Sequence, residues 1–246
     1  MPNLQGKTAI VTGSSRGIGR TIAEQLAGLG ARVVINYANS PHKAAEVVQA
    51  IKHNGGEAAA VQADLSRPAE VEALFAAALE HFGQVDILVN NAGMLKIQPL
   101  QEVTEEDFDK QFLLNAKGTF FACQQAMKHM EERGRIINFS TSVTGHMFPD
   151  YSVYAGTKGA VEQFTRQLAK EFAVKQITIN AVAPGPVNTE LFLEGKTEVQ
   201  IEGLKRSIAL GRIGEPEDIA NVIEFLVSEQ SQWITGQTIR VNGGLI

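Results

Sequence analysis

Residues 8–19 read T-A-I-V-T-G-S-S-R-G-I-G: a β-branched run, a loop with three glycines, and the first residues of a stretch with helical spacing. The opening run predicts a strand buried on both faces. Each glycine in the loop then has its own reason to be there. Gly13 permits the tight turn, Gly17 lets the backbone approach a pyrophosphate, and Gly19 lets the helix pack closely. The helix that opens here presents free amide donors and positive potential, which suits an anion. Ser15, Arg16 and Ile18 complete the loop and share its ligand-facing edge. The spacing G-x-x-x-G-x-G is one residue away from the common G-x-G-x-x-G. Strand, glycine loop and helix, with a second strand within about 30 residues, predict an α/β fold that binds a nucleotide at its first loop.

Outward from this stretch the pattern repeats. Apolar β-rich runs at 33–35, 58–61, 87–89, 136–139, 177–182 and 238–241 alternate with helix-like segments at 18–27, 41–53, 68–82, 105–130, 154–174 and 216–228. Pro41, Pro68 and Pro216 suit helix first turns. Alternation of this kind implies parallel strands joined by right-handed crossovers. The expected architecture is one domain over 1–246, with a seven-stranded parallel sheet wound in both directions and helices on both faces. Residues 184–210, beginning P-G-P-V-N-T-E-L-F-L, break the rhythm just past a strand. Ligand crevices open at the carboxyl ends of such strands, so the segment reads as a lid over a substrate or as a plain surface loop.

Composition narrows the function. The 246 residues carry a formal charge of −5, with 44% hydrophobic and 20% charged residues. This argues against nucleic acid or an anionic membrane surface as a partner. Cys123 is the single cysteine, so no intramolecular disulfide forms, and its neighbours Phe120, Phe121 and Ala122 point to burial. The start, M-P-N-L-Q-G-K-T, leads into an apolar run too short for a signal peptide, and no stretch of about 18 apolar residues exists to span a membrane. A cytoplasmic protein is expected. The five histidines lack metal-ligand spacing, so no metal is expected.

A second stretch carries chemistry. Residues 142–158 read S-V-T-G-H-M-F-P-D-Y-S-V-Y-A-G-T-K, placing Tyr154 and Lys158 one helical turn apart on a shared face. A phenol titrates near 10, and a fixed cation beside it favours the phenolate, which makes the tyrosine an acid/base group. Alone, such a pair is most often just a solvated helix surface. The end of the second strand reads V-V-I-N-Y-A-N-S, with Asn36 and Tyr37 where a site for NAD usually has a carboxylate. Without that charge a 2′-phosphate is tolerated; Arg16 offers it a cation, and Asn36 and Ser40 offer neutral donors. The alternative reading is an Arg16 solvated beside the loop.

Taken in order, T-G-x-x-x-G-x-G at 12–19, N-N-A-G at 90–93, Asn115, serines near 140, Y-x-x-x-K at 154–158, V-A-P-G at 182–185 and G-x-x-I-R-V-N-G-G at 236–244 resemble the short-chain dehydrogenase/reductase family over nearly the whole chain. Within it the chain is most similar to NADPH-dependent 3-oxoacyl-carrier-protein and hydroxynaphthalene reductases. The resemblance implies a Rossmann-type fold, NADP(H) as cofactor, reversible hydride transfer to a carbonyl, and a homotetramer. It implies that Tyr154 is the proton donor and that Lys158 lowers its pKa and binds the nicotinamide ribose. Ser142 would hold the carbonyl oxygen, and Asn115 a relay water. Asp64 and Leu65 would meet the adenine, Asn91, Ala92 and Gly93 the ribose and pyrophosphate, and Pro184, Gly185, Val187 and Thr189 the nicotinamide. The family serine commonly stands about 13 residues before the tyrosine; here Ser140, Thr141 and Ser142 stand 14, 13 and 12 before Tyr154. The S-x-x-G that follows favours Ser142, with Ser140 the alternative. NAD-dependent alcohol oxidation and a non-catalytic nucleotide-binding role are the other readings. Leu95, Ile97, His146, Met147, Phe148, Leu191 and Phe192 predict an apolar substrate pocket, with His146 at its rim.

Overall fold

In a computed structural model, described over residues 3–246, strand and helix alternate as β1 (Thr8–Val11), α1 (Gly17–Gly28), β2 (Arg32–Tyr37), α2 (Pro41–His53), β3 (Glu57–Gln62), α3 (Pro68–Phe82) and β4 (Ile87–Asn90). The second half continues with α4 (Glu105–Gln111), a π-helical stretch (Phe112–Gly118), α5 (Thr119–His129), β5 (Arg135–Phe139), α6 (Ser152–Phe172) and β6 (Thr178–Pro184). Two short helices, α7 (Glu190–Leu193) and α8 (Glu198–Ser207), then precede α9 (Pro216–Val227) and β7 (Thr238–Val241). Met1 and Pro2, the start of the segment considered for a signal sequence, lie outside the described residues.

All seven strands are parallel, in the order β3-β2-β1-β4-β5-β6-β7. The order reverses between β1 and β4, and a crevice opens at such a switch point outside the carboxyl ends of the strands. Buried strands show why the runs are apolar throughout: Ala9 and Val11 enter the core under α1, α2 and α9, while Ile10 between them faces the core under α3, α5 and α6. The second core centres on Leu74, Phe75, Ile136, Phe172 and Ile179, all essentially without solvent contact. Cutting such a ring back to a methyl group costs about 3–5 kcal/mol. Cys123 is buried in this core and hydrogen-bonds only weakly to Asn90 and Asn138.

Pro41, Pro68 and Pro216 each open a helix, as the missing proline N–H predicts. The expected continuous helix over 105–130 is instead interrupted by the π-helical stretch. Two contacts accompany the wider winding. Asn115 is tied by its side chain to Met94 and Thr157, and Gly118 lies so close to β3's exit that a β-carbon there would stand 2.7 Å from the Leu65 carbonyl oxygen. π-turns of this kind often occur at functional sites. Residues 184–210 form a capped two-helix excursion rather than one weak helix; the Thr197 hydroxyl accepts from Gln200 N and the Gln200 side chain accepts from Thr197 N.

Candidate active site

The glycine loop is shaped as its sequence requires. Gly13 and Gly17 have φ of +60° and +55°, the left-handed region that side chains rarely adopt. A β-carbon on Gly13 would also stand 3.0 Å from Ala92 Cα. One on Gly19 would be 2.5 Å from Asn91 Nδ2 and 2.7 Å from Gly13 O, so this glycine serves packing of the loop against itself and the exit of β4. The Asn91 amide donates to Thr12 O (2.8 Å) and Gly13 O (3.1 Å), and Ala92 N donates to Thr12 Oγ1 (2.9 Å). The N-N-A-G stretch thus clamps the loop.

Asn36 proves to be a second clamp. Its Oδ1 accepts from Gly13 N (3.1 Å) and its Nδ2 donates to Ala63 O (3.1 Å) and, at 3.4 Å, to Val61 O, while the residue also lines the cavity beside the loop. The side chain is what binds the glycine loop to β2 and β3. Asp64 is similarly engaged in part, its Oδ1 accepting from Ser66 N at 3.0 Å.

Two cavities meet over the carboxyl ends of the strands. One, of about 360 Å³, is lined by the glycine loop with Ser15, Arg16 and Ile18, by Tyr37 and Ser40 after β2, by Asp64 and Leu65 after β3, and by Asn91, Ala92 and Gly93 after β4. The other, of about 270 Å³, is lined by Ser140, Thr141, Ser142, Tyr154 and Lys158 and by Pro184, Gly185 and Val187. Ile18, Asn91, Gly93, Thr189 and Leu191 line both, so the two form a continuous cleft. Among the expected apolar residues, Leu95, Phe148, Leu191 and Phe192 line the smaller cavity. Ile97, His146 and Met147 do not; Met147 is 97% exposed, and His146 rests on Phe148 with ring centroids 4.2 Å apart.

Tyr154 and Lys158 share a face of α6, as their spacing predicts. The buried Lys158 ammonium donates to Phe139 O at 2.7 Å and lies 5.9 Å from the Tyr154 ring centroid. Burial pushes the Tyr154 phenol up to about 12, opposed in part by a hydrogen bond from the Thr141 side chain. Burial also pulls the Lys158 ammonium from 10.5 down to about 8. At neutral pH this phenol therefore holds its proton.

The hydroxyls at 140–142 separate clearly. Ser140 Oγ donates to Glu162 at 2.6 Å, as does Thr144 Oγ1 at 2.7 Å. Ser142 Oγ donates to Ala183 O (3.2 Å) and accepts from Asn242 Nδ2 (3.1 Å). Thr141 Oγ1, one residue earlier, accepts from Val143 N (3.3 Å), and all three hydroxyl residues line the cavity with Tyr154. The fully buried Asn115 lines neither cavity: its Oδ1 accepts from Met94 N (2.8 Å) and its Nδ2 donates to Met94 O (2.9 Å) and Thr157 Oγ1 (3.1 Å). It still borders the site, because a β-carbon on Gly93 would stand 3.2 Å from Asn115 Oδ1 and 3.4 Å from Lys158 Nζ. Sequence reasoning gave no role to Glu162 or Asn242; Glu162 belongs to no quoted motif, Asn242 stands in the G-x-x-I-R-V-N-G-G stretch at 236–244, and only the fold brings both to the hydroxyls.

A parallel sheet with a glycine loop at its switch point and a half-buried Tyr154 beside a buried Lys158 defines a Rossmann-type oxidoreductase. Comparison with known proteins agrees. Residues 13–246 match the family model described as enoyl-(acyl carrier protein) reductase. The chain is 44% identical over 253 residues to elsinochrome reductase 1 of Elsinoe fawcettii, covering 98% of this chain and 94% of that one. It is 43% identical over 258 residues to the hydroxynaphthalene reductase-like protein Arp2 of Metarhizium guizhouense, covering 99% and 96%. The crystal structure of the angucycline C-6 ketoreductase LanV with bound NADP superposes with a TM-score of 0.94 at 43% identity, covering 99% of this chain and 97% of that one. The protein belongs to the short-chain dehydrogenase/reductase family.

Proposed function

We propose that this protein is an NADP(H)-dependent carbonyl reductase that converts a ketone to a secondary alcohol, with Tyr154 as proton donor. The observation that carries the reading is the position of Tyr154 in the apolar cavity, which is continuous with the glycine-loop cavity. The cleft suits a dinucleotide: the two left-handed glycines keep side chains off the loop, and no carboxylate follows β2. The glycine loop and the start of α1 would hold the pyrophosphate, Asp64 and Leu65 the adenine, and Pro184, Gly185, Val187 and Thr189 the nicotinamide. The bound nicotinamide supplies the hydride.

The protein supplies the proton and the place. As hydride reaches the carbonyl carbon, negative charge grows on oxygen, and the phenol of Tyr154 delivers its proton there. A phenol pushed up by burial is fully protonated before that moment, which suits it to act as an acid in reduction. A hydroxyl beside it stabilises the same oxygen. Thr141 takes this contact, since its side-chain hydrogen bond bears on the Tyr154 phenol, and Ser142, fixed by Ala183 and Asn242, lines the cavity next to it. Lys158 holds the nicotinamide ribose and, with Asn115 beside it, passes a proton back to Tyr154. Met94, Leu95, Phe148, Tyr151, Leu191 and Phe192 exclude water and favour an apolar or aromatic ketone. Helices α7 and α8 serve as the lid.

Purified protein is offered NADPH with an aromatic diketone, ethyl acetoacetate, a 3-oxoacyl thioester and an enoyl thioester, and nicotinamide absorbance is followed. Reduction of a ketone, together with a loss of about 10²–10⁴-fold in turnover and retained NADPH binding in Tyr154→Phe, is the expected result. Reduction of the enoyl thioester alone, or near wild-type turnover by the variant, overturns the reading. Thr141→Val is expected to reduce kcat more than Ser142→Ala; the reverse order returns the carbonyl contact to Ser142.

A further inference from the structure

Glu190, the first residue of α7, bridges two cations: Arg16, which lines the glycine-loop cavity with it, and Lys43, which stands outside that lining. Its Oε2 lies 3.0 Å from Lys43 Nζ and 3.5 Å from Arg16 Nη1, and its Oε1 lies 3.3 Å from Lys43 Nζ. Arg16 comes from the loop before α1, Lys43 from the first turn of α2, and Glu190 from the lid. Arg16, Ser40 and Glu190 line the same cavity, at the end beyond β2. Hydrogen bonding to Lys43, then the Lys43 charge, holds the Glu190 carboxyl below the usual carboxylate range. Two cations that converge on the oxygens of one carboxylate also suit the oxygens of a phosphate monoester.

We propose that Lys43 reads the cofactor's 2′-phosphate together with Arg16, and that Glu190 is a built-in competing anion that sets the balance between NADP(H) and NAD(H). The proposal rests on reading this cavity as the dinucleotide site. A 2′-phosphate carries about −1.5 to −2 charge at neutral pH against −1 for Glu190, so it takes over both cations and repels the carboxylate. A ribose 2′-hydroxyl repels nothing, and Glu190 remains placed to accept from it, as the carboxylate after β2 does in sites for NAD. Glu190 thus supplies from the lid the carboxylate that Asn36 and Tyr37 do not. The same exchange links the two ends of the cleft, because the flanking residues Thr189 and Leu191 line both cavities.

Calorimetric titration of the intact protein with adenosine 2′,5′-bisphosphate and with adenosine 5′-monophosphate separates the terms without turnover. Lys43→Gln is expected to weaken the bisphosphate roughly 3- to 10-fold and to leave the monophosphate within about twofold. Glu190→Gln is expected to tighten the bisphosphate roughly 2- to 5-fold without tightening the monophosphate. Both effects should shrink in 0.5 M salt, since the groups are exposed. Equal changes for the two ligands in Lys43→Gln, or no gain in Glu190→Gln, overturns the proposal while the dinucleotide site stands. Failure of wild-type protein to bind either nucleotide overturns both.

Discussion

Replacing Lys158 by methionine should stabilise the protein while abolishing its chemistry, and the size of the effect follows from the site. The Lys158 ammonium is 4% exposed, meets no carboxylate within salt-bridge distance among the described residues, and donates only to Phe139 O. A fall from 10.5 to about 8 means that holding the charge at neutral pH costs the folded state roughly 3 kcal/mol, at about 1.4 kcal/mol per pH unit. Methionine fills similar space without charge but forfeits the hydrogen bond, a loss of about 1–2 kcal/mol. Lys158→Met should therefore be more stable near pH 7 by about 1–2 kcal/mol, or about 2–6 °C in Tm for a chain of this size. The pH dependence carries the sign. The folded pKa lies below the unfolded one, so between about 8 and 10.5 the unfolded chain binds more protons and wild-type stability rises with pH. The advantage of the variant should shrink from pH 8 upward and reverse at about pH 9. Urea unfolding of both proteins between pH 6.5 and 10 measures this, and taking their difference cancels the groups they share. A difference that is flat with pH, or a wild type more stable at pH 7, refutes the argument.

Gly13→Ala combines a left-handed backbone, which costs roughly 1–2 kcal/mol with a side chain, with a contact of 3.0 Å to Ala92 Cα. Thermal melting should fall by several degrees and NADPH affinity should drop with it; unchanged melting would show that the loop relaxes freely. We propose that Phe120, 37% exposed with its ring 5.2 Å from that of Phe164, sits in a contact between copies in a homotetramer. Phe120→Asp should lower the mass measured by light scattering while the circular dichroism stays native, and an unchanged four-chain mass would remove this face from the interface.

The features that sequence reveals are those whose cause is local. Gly13 and Gly17 are legible because a turn at positive φ selects glycine whatever surrounds it. The parallel sheet is legible because strands covered on both faces must be apolar throughout. The π-helical stretch at Phe112–Gly118 is not, since residues wound five apart show nearly the same apolar pattern as residues wound four apart. Inside that winding, Asn115 Oδ1 accepts from Met94 N, a contact across 21 residues that no local pattern announces.

The same division runs through the site. Sequence puts three hydroxyls before Tyr154 but does not say which way each one faces. That is decided where β5 ends and the chain turns, so that Ser140 meets Glu162, Thr141 accepts from Val143 N, and Ser142 meets Ala183. Asn36 shows a subtler case. The absence of a carboxylate after β2 is visible in sequence, but the amide that stands there belongs to the loop's scaffold, held by Gly13 and Ala63. The charges proposed to select between cofactors come from elsewhere: Lys43 and Glu190 are 147 residues apart and meet only in the fold. Specificity in this site therefore rests on long-range pairs, and a substitution in the lid at Glu190 should alter cofactor choice as surely as one in the glycine loop.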